Sequence, residues 1–72
     1  MNNLNVAKIQ LNGNPYKINN GTNLNELLNK LRIEKNKVAI EVNGEIIDRN
    51  KYSNLVLNRD DKVEIVHFIG GG

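Results

Sequence analysis

The sequence predicts a small α+β domain in which one helix covers a mixed sheet of about five strands. Apolar and polar residues alternate in several short stretches, which is the period of half-buried strands. One stretch instead has leucines at helical spacing: Leu24, Leu27, Leu28 and Leu31. The chain has 72 residues, and a domain of this size buries only about 60% of the surface that its unfolded form exposes. One helix on one sheet is therefore the most complex fold that we expect.

The first predicted element is a hairpin over residues 6–18. Apolar and polar side chains alternate from Val6 to Leu11, as in a strand with one buried face. Turn-forming residues then occupy positions 12–15, and the alternation resumes at Tyr16. The pattern indicates two antiparallel strands joined by a turn.

The leucine stripe predicts a helix that packs on the sheet. Thr22 or Asn23 can cap its start, because a side-chain oxygen there accepts an otherwise unpaired backbone N–H. Lys30, Arg32 and Lys35 lie near its expected end, where positive charge favours the helix dipole. Such a stripe can also form a groove for a partner. The chain has so few other apolar residues that we expect this one to belong to the core.

A second hairpin is predicted from residues 38–47. Strands at 38–42 and 45–47 flank Asn43 and Gly44. Asn-Gly is the strongest short hairpin signal, because a type I′ turn needs positive φ at both central positions.

Residues 48–57 have only scattered apolar side chains and predict an irregular connection. We expect Tyr52, together with Leu55 or Leu57, to attach this connection to the domain.

A charged turn is predicted at residues 58–62. Asp60 and Asp61 are candidate metal ligands, but adjacent carboxylates before a strand are typical of a solvated turn. The sequence offers no third ligand nearby, so we predict no metal site.

The last strand, residues 63–68, runs directly into the end of the sequence. We expect Val63 and Ile65 to face the helix, which leaves Val66 and Phe68 exposed on the opposite face. Exposed apolar clusters on small domains are often interaction surfaces. The alternative is that Phe68 folds back over the edge of the core.

The sequence closes with Gly70, Gly71 and Gly72. Glycine loses more conformational freedom on folding than any other residue, so three in succession contribute nothing to a core. A backbone without side chains can pass through a narrow channel. We expect residues 1–68 to form the domain and residues 69–72 a flexible tail that presents a carboxylate. A frayed end or an inert linker is the competing interpretation.

The composition argues against several classes of function. The chain has no cysteine, so thiolate metal sites and a catalytic cysteine are excluded. Its single histidine cannot form a metal cluster or a triad alone, and the sequence shows no Ser/His/Asp arrangement. The 10 basic and 8 acidic residues are scattered rather than clustered, unlike those of nucleic-acid-binding proteins. No apolar run approaches the length of a membrane span, and the polar start is unlike a signal peptide. We expect a cytoplasmic protein that is not itself an enzyme.

The order of these elements is that of the β-grasp, or ubiquitin-like, fold, in which the first and last strands lie parallel inside the sheet. Several segments resemble the sulfur carriers of the ThiS/MoaD branch, and most closely the ThiS family of thiamine biosynthesis. These segments are Thr22-x-Leu24-x-x-Leu27-Leu28, residues 38–47, Arg49 followed by Tyr52, and residues 60–72. The first hairpin matches poorly, and the third glycine departs from the two that many members have.

The resemblance implies a protein co-substrate with no bound cofactor. A ThiF-like adenylyltransferase would use ATP to adenylate Gly72, and sulfur from a persulfide, made by a cysteine desulfurase, would then replace AMP. The resulting thiocarboxylate would supply sulfur to thiazole synthase, ThiG. Gly70 and Gly71 would thread the channels of these partners. The docking residues would lie at the end of the last strand: Val66, Phe68 and Ile69.

Three other interpretations remain open. The small subunit of molybdopterin synthase shares the fold, the tail and the thiocarboxylate, but delivers its sulfur to the large subunit of that enzyme. A protein modifier would be joined through Gly72 to lysines of its targets. A plain β-grasp binding module with an inert tail would respond to neither ATP nor an activating enzyme.

Overall fold

The computed structural model describes residues 5–68. This part of the chain forms five strands, one α-helix and two short 3-10 helices. In chain order the elements are β1 (Val6–Leu11), β2 (Asn14–Asn19), α1 (Leu24–Leu31), the 3-10 helix Lys35–Lys37, β3 (Val38–Val42), β4 (Glu45–Ile46), the 3-10 helix Arg49–Lys51, and β5 (Lys62–His67). The predicted α+β architecture, a helix with a mixed sheet of five strands, is confirmed.

The last strand lies at the centre of the sheet, whose order is β2-β1-β5-β3-β4. Strand β5 runs parallel to β1, with Gln10 opposite Lys62, and antiparallel to β3, with Ile40 opposite Ile65. The parallel pairing begins where the Gln10 N–H donates to the Asp61 carbonyl at 2.9 Å. The first and last strands therefore lie side by side inside the sheet, as the order of elements predicted.

One face of the sheet and the apolar stripe of the helix form a single core. Its buried side chains are Ala7, Ile9, Ile18, Leu24, Leu27, Leu28, Val38, Ile40, Val42, Tyr52, Leu57, Val63 and Ile65. Tyr52 and Leu57 attach the irregular connection to this core, as predicted, while Leu55 is partly buried against it. Each fully buried side chain of this kind contributes about 1.5–3 kcal/mol relative to an exposed one.

A capping box starts the helix. The Glu26 N–H donates to Asn23 Oδ1 at 2.8 Å, and the Asn23 N–H donates to Glu26 Oε1 at 3.0 Å. Of the two candidate caps, Asn23 therefore takes the role, while the Thr22 hydroxyl donates to the Asn19 carbonyl. The helix ends at Leu31 and is capped by Arg32, whose φ of 60° lies in the left-handed region.

Both hairpins are closed by an Asn-Gly pair with positive φ, at Asn12-Gly13 and at Asn43-Gly44. The second turn is the one predicted. The first is tighter than predicted, because β2 already begins at Asn14 and includes Pro15. Strand β2 is an edge strand, where the missing N–H of a proline leaves no bond of the sheet unmade.

The Asn12 side chain extends the pairing between the first turn and β5. Its Oδ1 accepts a bond from the Ile65 N–H at 2.7 Å, and its Nδ2 donates to the Ile65 carbonyl at 3.4 Å. The backbone N–H of Asn12 donates to Val63 at 2.9 Å. The asparagine therefore takes the place of a further β1 residue and connects the first turn to β5.

We predict that Asn12→Gly lowers the free energy of unfolding by about 1–3 kcal/mol, because the two bonds to Ile65 are lost while the positive φ is still tolerated. Urea denaturation measures this as a lower midpoint. Asn14→Gly, two positions further along the same hairpin, is the control. A midpoint for Asn12→Gly equal to that of the control would show that the side chain does not stabilise the pairing.

Candidate partner-docking site

Three large apolar side chains are exposed on the face of the sheet that the helix leaves uncovered. Ile46 is 73% exposed, Val66 57% and Phe68 56%. The register explains their common face. Val66 lies opposite Ala39, and Glu41 lies opposite both Glu64 and Ile46. These positions alternate with the buried ones of β3 and β5. We call Ile46, Val66 and Phe68 the outer-face patch.

The structure places the predicted docking residues as follows. Val66 and Phe68 are exposed, as the alternation predicted. The alternative in which Phe68 folds back over the core is wrong, because Phe68 is not among the core residues. Ile69 and the three glycines predicted to thread the channel and carry the sulfur, Gly70, Gly71 and Gly72, lie outside the described residues.

Sequence reasoning missed Ile46. Its position was predicted as strand, but no face was assigned to it. The Asn43-Gly44 turn contained the signal, because a two-residue loop fixes the cross-strand register and so places Ile46 opposite the polar Glu41.

Backbone pairing continues along β5 to Phe68, the last residue of the patch. His67 lies opposite Val38, and the Phe68 N–H donates to the Lys37 carbonyl at 3.0 Å. Phe68, the last residue that the structure describes, is therefore bonded to the backbone just before β3. A partner that binds the patch also binds next to the chain segment that follows Phe68.

Arg49 and Tyr52, which carry part of the family resemblance, have structural contacts. Arg49 Nε donates to the Lys35 carbonyl at 3.0 Å and so joins the two 3-10 helices. Tyr52 is 2% exposed, and its carbonyl accepts the Asn25 N–H at 3.2 Å. Arg49 therefore holds the irregular connection against the 3-10 helix Lys35–Lys37, and Tyr52 holds it against α1 and the core.

Asp61, one of the two candidate metal ligands, forms hydrogen bonds within and beside the turn that precedes β5. The Asp61 carboxylate accepts the Asn58 N–H at 2.8 Å and Asn43 Nδ2 at 3.0 Å. Asn43 Oδ1 in turn accepts the Lys62 N–H at 2.9 Å. Among residues 5–68, no group of three or more metal-ligating side chains is positioned to hold an ion. In the same range, no helix is long and apolar enough to cross a membrane.

A single helix on a five-stranded sheet, with parallel first and last strands and an uncovered outer face, defines a ubiquitin-like β-grasp protein. The fold matches the crystal structure of the thiamine biosynthesis protein ThiS from Geobacter metallireducens with a TM-score of 0.79 and 31% identity, covering 90% of this chain and 99% of that one. The model of the ThiS family matches residues 9–72. The chain belongs to the ThiS family, whose ThiS proteins are small sulfur carriers of thiamine biosynthesis.

Two kinds of relative are informative. The sulfur carrier protein ThiS of Bacillus subtilis is 40% identical over 65 residues, which cover 89% of this chain and 98% of that protein. A thiazole synthase of Magnetococcus marinus is 48% identical over 65 residues, which cover 90% of this chain but 20% of that protein. A thiazole synthase of Paramagnetospirillum magneticum is 38% identical over the same share of each chain. The chain thus spans 20% of the length of each of these two thiazole synthases.

We predict that Val66→Ser and Phe68→Ser each change the free energy of unfolding by less than about 0.5 kcal/mol, because both side chains are exposed in the free protein. Ile65→Ser, the intervening position of the same strand, is the control, and its burial predicts a loss of about 3 kcal/mol or more. Urea denaturation measures all three. A loss for Phe68→Ser close to that of Ile65→Ser would contradict the exposed position.

Proposed function

We propose that this chain carries sulfur for thiazole formation in thiamine biosynthesis, as a thiocarboxylate on Gly72. The observation that carries the proposal is the match to the ThiS family, which extends through the glycine tail to residue 72. The likeness to the Bacillus subtilis sulfur carrier, over 98% of that protein's length, supports it. In this proposal residues 69–72 act as a tail attached to the β-grasp domain.

The tail chemistry follows from the properties of a carboxylate. An α-carboxylate is ionised at neutral pH and is a poor acyl donor, because oxide is a very poor leaving group. Attack by the Gly72 carboxylate on the α-phosphorus of ATP would release pyrophosphate and form an acyl-adenylate. Persulfide sulfur would then attack the acyl carbon and expel AMP. A thiol would finally cleave the acyl disulfide and leave the thiocarboxylate. Gly70 and Gly71 would let this terminus enter a narrow active site.

The chain would be a co-substrate of its partners rather than an enzyme. A ThiF-like adenylyltransferase would consume ATP, and a cysteine desulfurase would supply sulfur indirectly. Thiazole synthase, ThiG, would be the sulfur acceptor. Two thiazole synthases that contain a segment similar to this chain support that pairing. We place these steps in the cytoplasm, where ATP is available, and include no bound cofactor.

We further propose that the partners dock on the outer-face patch. Ile46 and Val66 project from paired strands, and Phe68 directly follows β5 with its N–H bonded to the Lys37 carbonyl. Binding would therefore order little that is not already ordered. Glu41 and Glu64, which lie opposite each other, give the patch a polar border. Ile69, the next apolar residue of the chain, would extend the contact toward the tail.

Intact-mass spectrometry tests the function. The chain is incubated with the adenylyltransferase, ATP, a cysteine desulfurase and cysteine. We expect a mass increase of one sulfur-for-oxygen exchange, mapped to Gly72 by fragmentation. An unchanged mass, with an activating enzyme that thiolates a control carrier, would contradict the proposal.

We predict that Phe68→Ser weakens binding to thiazole synthase by about tenfold or more, because truncating a central aromatic contact typically costs more than 1 kcal/mol. Val56→Ser is the matched control, since Val56 is 50% exposed but pairs with Asn23 at the start of the helix, away from the outer face. Calorimetric titration compares the two variants. Equal losses of affinity would show that the outer face is not the docking surface.

We predict that Gly71→Val abolishes adenylation while leaving the urea midpoint unchanged, because a β-branched side chain would block entry of the tail into the partner's active site. Pyrophosphate release measures adenylation. A normal rate for this variant would show that the tail does not thread a narrow channel.

A further inference from the structure

The outer face also contains a cluster of cations at the end far from the patch. Lys8 of β1 and Lys17 of β2 lie directly opposite each other. Together with Arg59, Asp60 and Val6 they line a shallow cavity of about 410 Å³. Both lysines and Arg59 are exposed. We call Lys8, Lys17 and Arg59 the basic cluster.

The placement of Lys8 opposite Lys17 is electrostatically unfavourable in the unbound domain. Directly opposite residues of an antiparallel pair have Cβ atoms about 5 Å apart, and like charges there are destabilising. The ion pair found within residues 5–68 joins Lys37 and Glu34. No carboxylate in this range lies within ion-pair distance of Lys8, Lys17 or Arg59. The first four residues of the sequence contain no acidic side chain. The repulsion is therefore uncompensated by an ion pair in this part of the chain.

One partner protein is large enough to contact both the basic cluster and the outer-face patch. The Asp60 N–H donates to the Lys8 carbonyl, so Lys8 is level with the turn that precedes β5. Phe68 follows Asp60 by eight positions, which at about 3.3 Å per residue separates the two ends of the face by roughly 26 Å. An interface of standard size covers about 800 Å² on each partner, a disc roughly 32 Å across. One protein can therefore contact both ends.

The charge of the basic cluster indicates which kind of ligand it binds. Three exposed cations with a single carboxylate on the rim favour a negatively charged ligand. The cavity is shallow and its cations are solvated. A small anion needs enclosure to bind, whereas an acidic protein surface attracts cations over a distance. The basic cluster therefore suits an acidic protein surface better than it suits a small anion. We infer that the basic cluster contacts an acidic patch on thiazole synthase and accelerates its association. This inference rests on the proposed function, which supplies the partner.

The test measures association of the full chain with thiazole synthase by stopped flow at several salt concentrations. The variant K8Q/K17Q removes two charges and also their mutual repulsion, so its urea midpoint should equal or exceed that of the wild type. The control K35Q/K51Q removes the same charge from the two 3-10 helices, outside the basic cluster. We expect K8Q/K17Q to associate about tenfold more slowly than the control at low salt, with a shallower salt dependence and an unchanged dissociation rate.

Three outcomes would overturn the inference. Equal association rates for K8Q/K17Q and K35Q/K51Q would remove the cluster from the interface, while the proposed function would stand because the wild type binds. Absence of binding by the wild type would defeat the pairing with thiazole synthase and the inference together. Saturable, submillimolar shifts of the Lys8 and Lys17 amide resonances with inorganic phosphate, at constant ionic strength, would assign the cluster to a small anion instead.

Discussion

The insertion of β5 between β1 and β3 is the constraint on which the rest of the structure depends. It joins two hairpins that are otherwise separate, and it completes the sheet face that the helix covers. Val63 and Ile65 supply the buried side of this strand, and the Asn12 side chain continues its pairing past the end of β1. The end of the same strand also fixes the position of Phe68, whose N–H donates to the Lys37 carbonyl.

This arrangement places the buried and the exposed apolar side chains of the sheet on opposite faces. The inner face and the helix form the core, so the outer face is free to present the patch and the basic cluster at opposite ends. Ile46, Val66 and Phe68 are exposed and lie outside the core. Under the proposed function, such a division would let the surface that docks successive enzymes change without loss of the core.

The sequence was sufficient for the features that depend on local periodicity. Alternation located the strands, leucine spacing located the helix, and Asn43-Gly44 located a type I′ turn. The first turn was predicted too long because Pro15 suggested a loop, whereas an edge strand accepts proline. The bonds between Asn12 and Ile65 join residues 53 positions apart, so no local pattern reveals them. The pairing of Lys8 with Lys17 likewise requires the register, which the tighter turn sets.

Single-turnover sulfur transfer tests the central claim most directly. The chain is prepared with isotopically labelled sulfur on Gly72 and mixed separately with thiazole synthase plus its other substrates and with the large subunit of molybdopterin synthase plus its own. We expect the label to appear in the thiazole at one sulfur per chain, and not in the molybdopterin product. Transfer to the molybdopterin product alone, or retention of the label on the chain in both mixtures, would contradict the account.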